Sequence, residues 1–142
     1  MTDNFRSEYY QQIIEQAPDA VLFSDREGLI RLWNRGAELI FGYSAAEALG
    51  QSLDLIIPER LRGRHWEGYH RVMETGQSRY GTGLLSVPAL HKDGRQLSCA
   101  FSIVMLKDEQ GTPIGVASIM RDGTAAFEKE KALKQQIAAL GG

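Results

Sequence analysis

The sequence predicts an α+β domain: a five-stranded antiparallel sheet with short helices on one face and a further helix at each end. Three observations predict it. Two strand-length apolar runs precede, and three follow, a central stretch with only short helical signals. Glycine-ended turns, Asp25-Arg26-Glu27-Gly28, His91-Lys92-Asp93-Gly94 and Asp108-Glu109-Gln110-Gly111, separate successive strands and favour hairpins over helical crossovers. At 142 residues the chain can bury roughly two-thirds of its unfolded surface, so it needs no disulfide or structural metal.

The elements follow in order. Tyr10, Ile13, Ile14 and Ala17 recur at helical spacing over Ser7–Gln16, and Ala17-Pro18-Asp19 breaks that helix. Ala20–Ser24 and Leu29–Asn34 read as the two strands of the first hairpin. Asn34 is placed to cap a helix over Arg35–Phe41, which Gly42-Tyr43-Ser44 stops. Ser44 and Glu47 have the spacing of a capping box for a short helix over Ala45–Leu49. Leu53–Pro58 leads into a helix over Arg60–Glu74, where Leu61, His65, Tyr69 and Val72 share one face. Arg79–Ala89, Gln96–Leu106 and Pro113–Met120 read as strands, and Pro113 suits a strand start because it has no ladder N–H to give. Ala125–Leu140 closes the chain as a helix with roughly heptad spacing. The organisation expected is a cap helix over residues 1–16, the domain over 17–122 and an output or linker helix over 123–142.

Composition excludes several classes. Sixteen basic against 18 acidic residues leave a net charge of −2, without the basic excess that drives nucleic-acid binding. One cysteine, Cys99, rules out an internal disulfide and any cysteine cage for zinc or iron–sulfur. No apolar run approaches the ~20 residues of a membrane span, and the polar start, Met1 to Gln12, lacks a signal-peptide layout. A soluble, cytoplasmic domain is expected, with neither nucleic acid nor membrane as partner. Without a nucleophile elbow, a phosphate-binding glycine loop or a carboxylate pair, no enzyme is expected either. Gly81-x-Gly83 falls inside a strand and is no nucleotide fingerprint. His65 and His70, five apart, point about 140° away from each other on a helix. His91, in a turn, is expected to be solvated.

Seven segments, in order and over about residues 15–122, resemble the PAS domain family. They are Ala17-Pro18-Asp19-Ala20, Asp25-Arg26-Glu27-Gly28, Trp33-Asn34-Arg35-Gly36-Ala37-Glu38, Phe41-Gly42-Tyr43-Ser44, Glu47-Ala48-Leu49-Gly50, His91-Lys92-Asp93-Gly94 and Ile119-Met120-Arg121-Asp122. The resemblance implies a sensory and interaction module with an internal pocket. It also implies dimerisation and a signal passed through the flanking helices to an output domain or partner.

The stretch from Pro58 to Arg71, ending at Thr75-Gly76, is similar to the helix that carries the proximal histidine of haem-binding oxygen-sensing PAS domains. By that similarity His65 is the candidate iron ligand, from the same pocket-facing stripe as Tyr69, and Arg71 the candidate partner of a propionate. Leu85 stands where those sensors place an arginine toward the bound gas, so a haem here would lack that donor. The plainer reading of His65 is a helix histidine that donates to a carbonyl or faces solvent. A flavin is the second cofactor reading, with Trp33 and Trp66 bordering the ring, though both residues also suit core packing. A light-driven flavin adduct is not expected, because Gly50–Leu55 has no cysteine and Cys99 reads as a small buried strand residue. A small organic ligand, or no ligand, completes the alternatives. The resemblance also makes Asp122 and Thr124, around Gly123, the residues that couple sheet to output helix; Thr124 can serve as that helix's N-cap. At about four turns the helix is marginal alone in water and needs a partner.

Overall fold

The computed structural model describes residues 5–77 and 85–141. In chain order the elements are α1 (Ser7–Gln16), β1 (Ala20–Asp25), β2 (Ile30–Trp33), α2 (Arg35–Phe41) and α3 (Ala45–Ala48). Two 3-10 turns, Leu53–Ile56 and Glu59–Leu61, lead into α4 (Arg62–Thr75), followed by β3 (Leu85–Leu90), β4 (Gln96–Lys107), β5 (Pro113–Asp122) and α5 (Thr124–Gly141). The strands form one antiparallel sheet in the order β2-β1-β5-β4-β3, so the first hairpin lies beside the last strand. This is the α+β arrangement predicted. The helix expected from Arg60 begins at Arg62, because Glu59–Leu61 winds as a 3-10 turn. The expected start of the third strand at Arg79, and Gly81-x-Gly83, lie outside the described residues.

The sheet has one covered face. Ala20, Leu22 and Ser24 alternate inward along β1, and the burial of Leu97, Cys99, Ala89, Val116 and Met120 marks the same face on the other strands. Against it pack Trp33, Ala37, Phe41, Ala48, Leu53, Ile56, Tyr69 and Met73. Trp33 and Phe41 lie with ring centroids 5.5 Å apart, and the Trp33 indole N–H donates to the Tyr43 carbonyl at 2.9 Å. Ser44 and Glu47 form the capping box of α3. His91 is not solvated as expected: its side chain is 17% exposed and its ring lies on Gly42, while the Lys92 N–H donates to the Phe41 carbonyl. The turn between β3 and β4 is thereby fastened to the end of α2.

Asn34 does more than cap. Its side-chain oxygen accepts the Ala37 N–H at 2.9 Å, as an N-cap should, and also the Val21 N–H of β1 at 2.8 Å. Its amide nitrogen donates to the carbonyls of Ile14 at 2.8 Å, Asp19 at 3.0 Å and Ala17 at 3.3 Å. The residue is 4% exposed and its partners lie in part-buried positions, so water replaces the amide poorly. Two residues on, Gly36 brings the α2 backbone so close that a Cβ would lie 2.0 Å from the Asp19 carbonyl oxygen. A side chain at that point would push α2 off the Pro18-Asp19 backbone.

Asn34→Ala is therefore expected to lower the free energy of unfolding by about 2–3 kcal/mol, more than the ~1 kcal/mol of a lost cap, because buried and part-buried groups at both ends of the amide lose their partner. Asn34→Asp, which keeps the cap but sets a carboxylate against three carbonyls, should also destabilise. Urea denaturation of the three proteins checks this, and an Asn34→Asp as stable as the parent would reduce Asn34 to a cap.

Candidate functional site

The helix α4 turns one stripe to the sheet. Tyr69 and Met73 are buried, His65, Trp66 and Val72 half-buried, and Glu67, His70 and Arg71 exposed. Spacings of three and four residues bring His65, Trp66 and Tyr69 together as an aromatic cluster. The His65 ring centroid lies 4.7 Å from that of Trp66 and 5.7 Å from that of Tyr69, and Trp66 and Tyr69 are 5.3 Å apart.

Two of the three rings are fixed by hydrogen bonds to the first half of the chain. Tyr69 donates its hydroxyl to the Asp25 carbonyl at 2.5 Å and accepts from the Ser24 hydroxyl at 2.9 Å. Burial raises its phenol above the ordinary range, so it stays a donor. The Trp66 indole N–H donates to Asp54 Oδ1 at 2.7 Å, and its six-membered ring covers Gly28, where a Cβ would lie 2.1 Å from Cη2. Gly28 also has φ +80°, so the turn requires glycine for conformation and for space. Beneath it, Asp25 accepts the N–H groups of Glu27 and Leu29, both at 3.0 Å, and Arg31 Nε at 2.7 Å. Burial pushes the Asp25 carboxyl up, but these donors outweigh it and hold it below the ordinary carboxylate range.

His65 is held differently. Its Nδ1 is buried and has no hydrogen-bond partner among the described residues. Burial pulls the imidazole below its ordinary 6.5 against the opposing pull of the Asp54 carboxylate, so the ring is neutral at pH 7. The sheet's inner face opposite the helices is apolar and incompletely covered. Leu85 and Val87 on β3 pair with Phe101 and Cys99 on β4; Leu85, Val87, Phe101 and Ile103 are each half-buried. A neutral imidazole is the kind of donor that haem iron takes, and Leu85, Val87, Phe101 and Ile103 supply apolar side chains of the kind that line such a site.

Other predicted site residues lie elsewhere. Arg71 does not face the interior: it is exposed, 3.7 Å from Glu67 on the next turn. Trp33, on β2, is committed to Phe41 and Tyr43, so the two indoles do not border one slot. Cys99 is fully buried on β4, and burial, with Asp122 nearby, pushes its thiol up to about 11. Ser24, Asp54 and Gly28 were not predicted as site residues, although Ser24 is legible as the one hydroxyl on the inward parity of an apolar strand.

At the start of α5, Asp122 and Thr124 form one knot with β4. Thr124 donates its hydroxyl to Asp122 Oδ1 at 2.5 Å and accepts the Ser98 N–H at 3.0 Å, while Gly123 N–H donates to the Ser98 carbonyl at 2.8 Å. The cap expected of Thr124 is not its role. Thr124 is the first helical residue, and Asp122 accepts its backbone N–H at 2.9 Å.

Residues 14–126 match the model of the family described as PAS fold. Among curated proteins, the chain is 38% identical over 60 residues to the sensor protein FixL of Bradyrhizobium diazoefficiens, which covers 42% of this chain and 12% of that protein. It is 23% identical over 132 residues to the oxygen sensor protein DosP of Escherichia coli, covering 93% of this chain and 16% of that one. The chain thus spans a small part of these relatives. Among solved structures, the PAS domain of a Colwellia psychrerythraea protein superposes with a TM-score of 0.72 at 24% identity, over 83% of this chain and 97% of that one. With its strand order, capped helices and residues 14–126 matched by a single family model, the chain belongs to the PAS fold family.

Proposed function

We propose that this domain is a sensor whose ligand sits between α4 and the apolar inner face of β3, β4 and β5, with haem the specific candidate. The observation that carries the reading is His65: a neutral imidazole on α4 with a buried, unsatisfied Nδ1. Its likeness to an oxygen sensor protein over 93% of the chain supports the same reading. His65 would hold the iron, with Tyr69 and Trp66 fixing the helix that carries it and Val87, Phe101 and Ile103 excluding water. A bound haem would supply reversible binding of a diatomic gas at its iron. Among the described residues of β3, Leu85 offers an apolar surface and no cation, so the site is expected to discriminate among gases by shape more than by hydrogen bonding. Arg71 reaches a propionate only by leaving Glu67, an exposed contact worth little.

The state of the site would reach α5 through β4. Cys99 faces the interior beside Val87, its neighbour Ser98 is tied to Thr124, and Thr124 to Asp122, so a shift of β4 moves the first turn of α5. Output would go to a partner or a following domain. The purified chain titrated with hemin is expected to develop a Soret band that His65→Ala abolishes or broadens, with unchanged far-ultraviolet circular dichroism. Identical spectra for the two proteins would remove haem ligation by His65 and leave the small-organic-ligand and flavin readings.

A second reading, a dimerisation module, has its own observation. Tyr9 and Ile13 on α1, and Val104, Leu106 and Ile119 on the sheet, leave large apolar side chains exposed at 38% or more. Sedimentation should show a homodimer that Ile13→Glu converts to monomer. A dimer indifferent to that change would take α1 out of the interface.

A further inference from the structure

The chain enters and leaves the domain at one place. Asp19, three residues after α1, and Arg121, three residues before α5, are 102 positions apart in sequence and form a two-point ion pair. Arg121 Nε donates to Asp19 Oδ1 at 3.1 Å and a terminal guanidinium nitrogen donates to Oδ2 at 3.0 Å, the planar geometry that fixes orientation as well as distance. Each partner is anchored on its own side. The Asp19 carbonyl accepts from the Asn34 amide, which also holds the Ile14 and Ala17 carbonyls at the end of α1. Arg121 pairs with Ala100 across β4 and β5, and adjoins Asp122, which holds the first turn of α5 through Thr124.

We infer that Asp19 and Arg121 clamp the two flanking helices into one unit, so that a displacement of α1 is read directly at the start of α5 without passing through α4 or its ligand site. This is a route of regulation separate from the proposed ligand. Anything that moves the segment before Ala20 shifts Asp19, and Arg121 carries the shift to the Asp122–Thr124 knot. The coupling runs equally in both directions, as linkage requires of two sites joined by one interaction. The arginine side chain is 74% exposed and the aspartate 32%, so the clamp is modest in strength and weakened by salt, properties suited to a contact that must yield.

Spin labels on the full chain test this. Cys99 is buried with its thiol raised to about 11, so a label on Gln12→Cys in α1 or on Gln135→Cys in α5 reports a single position. Arg121→Gln, on β5, is expected to raise the mobile component of the label on α1 by about two- to five-fold, the range of a surface ion pair. Asp19→Asn should do the same to the label on α5. The charge swap Asp19→Arg with Arg121→Asp should return both labels toward the parent, and 1 M salt should mobilise both in the parent but not in Arg121→Gln. If Arg121→Gln loosens only α5 and Asp19→Asn only α1, the two junctions are independent and the inference fails. It fails equally if the swap leaves both labels as mobile as the single variants. Hemin binding by these variants is not part of the readout, so the result stands whether or not His65 holds haem.

Discussion

The structure hangs on one buried amide. Asn34 touches α1, β1, α2 and the strand entrance at Asp19 with a single side chain, and no other polar group in the described core reaches so many elements. A net hydrogen bond is worth about 1 kcal/mol, but an orphaned buried partner costs about 1–3 kcal/mol, so the amide governs the fold more by what it prevents than by what it adds. Once Asn34 is set, Gly36 must lie against Asp19, α2 must run over β1, and Trp33 must meet Phe41. The exposed Asp19–Arg121 pair is built onto the same node, yet its contribution to stability is of the order of 1 kcal/mol or less. Buried amide and surface ion pair thus divide the labour: one fixes the junction and the other leaves it adjustable.

The second fixed point is the seat of α4 on the first hairpin. Trp66 needs a bare Gly28, Tyr69 needs the Ser24 hydroxyl and the Asp25 carbonyl, and Asp25 needs its own turn donors and Arg31. These contacts spend the polar capacity of Tyr69 and Trp66 on position. His65, beside them, is given no such duty on its buried nitrogen. A side chain held in place by its neighbours and left with an unused donor or acceptor is the arrangement a ligand site requires.

The sequence is legible where local rules decide. The cap at Asn34, the box at Ser44 and Glu47, and the Asp-Gly turn after His91 are each specified within four residues, and the structure keeps them. That two early and three late strands share one antiparallel sheet is legible from the turns, whereas their order, β2-β1-β5-β4-β3, is not. What local rules miss is contact at long range. The amide nitrogen of Asn34, the seat of Trp66 on Gly28, the Ser24–Tyr69 pair and the Asp19–Arg121 clamp join residues 15 to 102 positions apart, and spacing along the chain carries no trace of them. His91 shows the same limit. Its turn was legible, but its burial on Gly42 was not, because that depends on where α2 ends in space. Arg71, six residues after His65, lies about 120° round the helix from it and is exposed beside Glu67.

The central claim, that His65 is a neutral, available imidazole facing the proposed ligand site, can be read directly from its ring-nitrogen and ring-proton resonances through a pH titration, with and without hemin. His65 is expected to titrate below 6.5, in contrast to an unburied histidine. Hemin is expected to shift or broaden the His65 signals while those of exposed His70 persist. A His65 that titrates in the ordinary range and keeps its signals in the presence of hemin would contradict it.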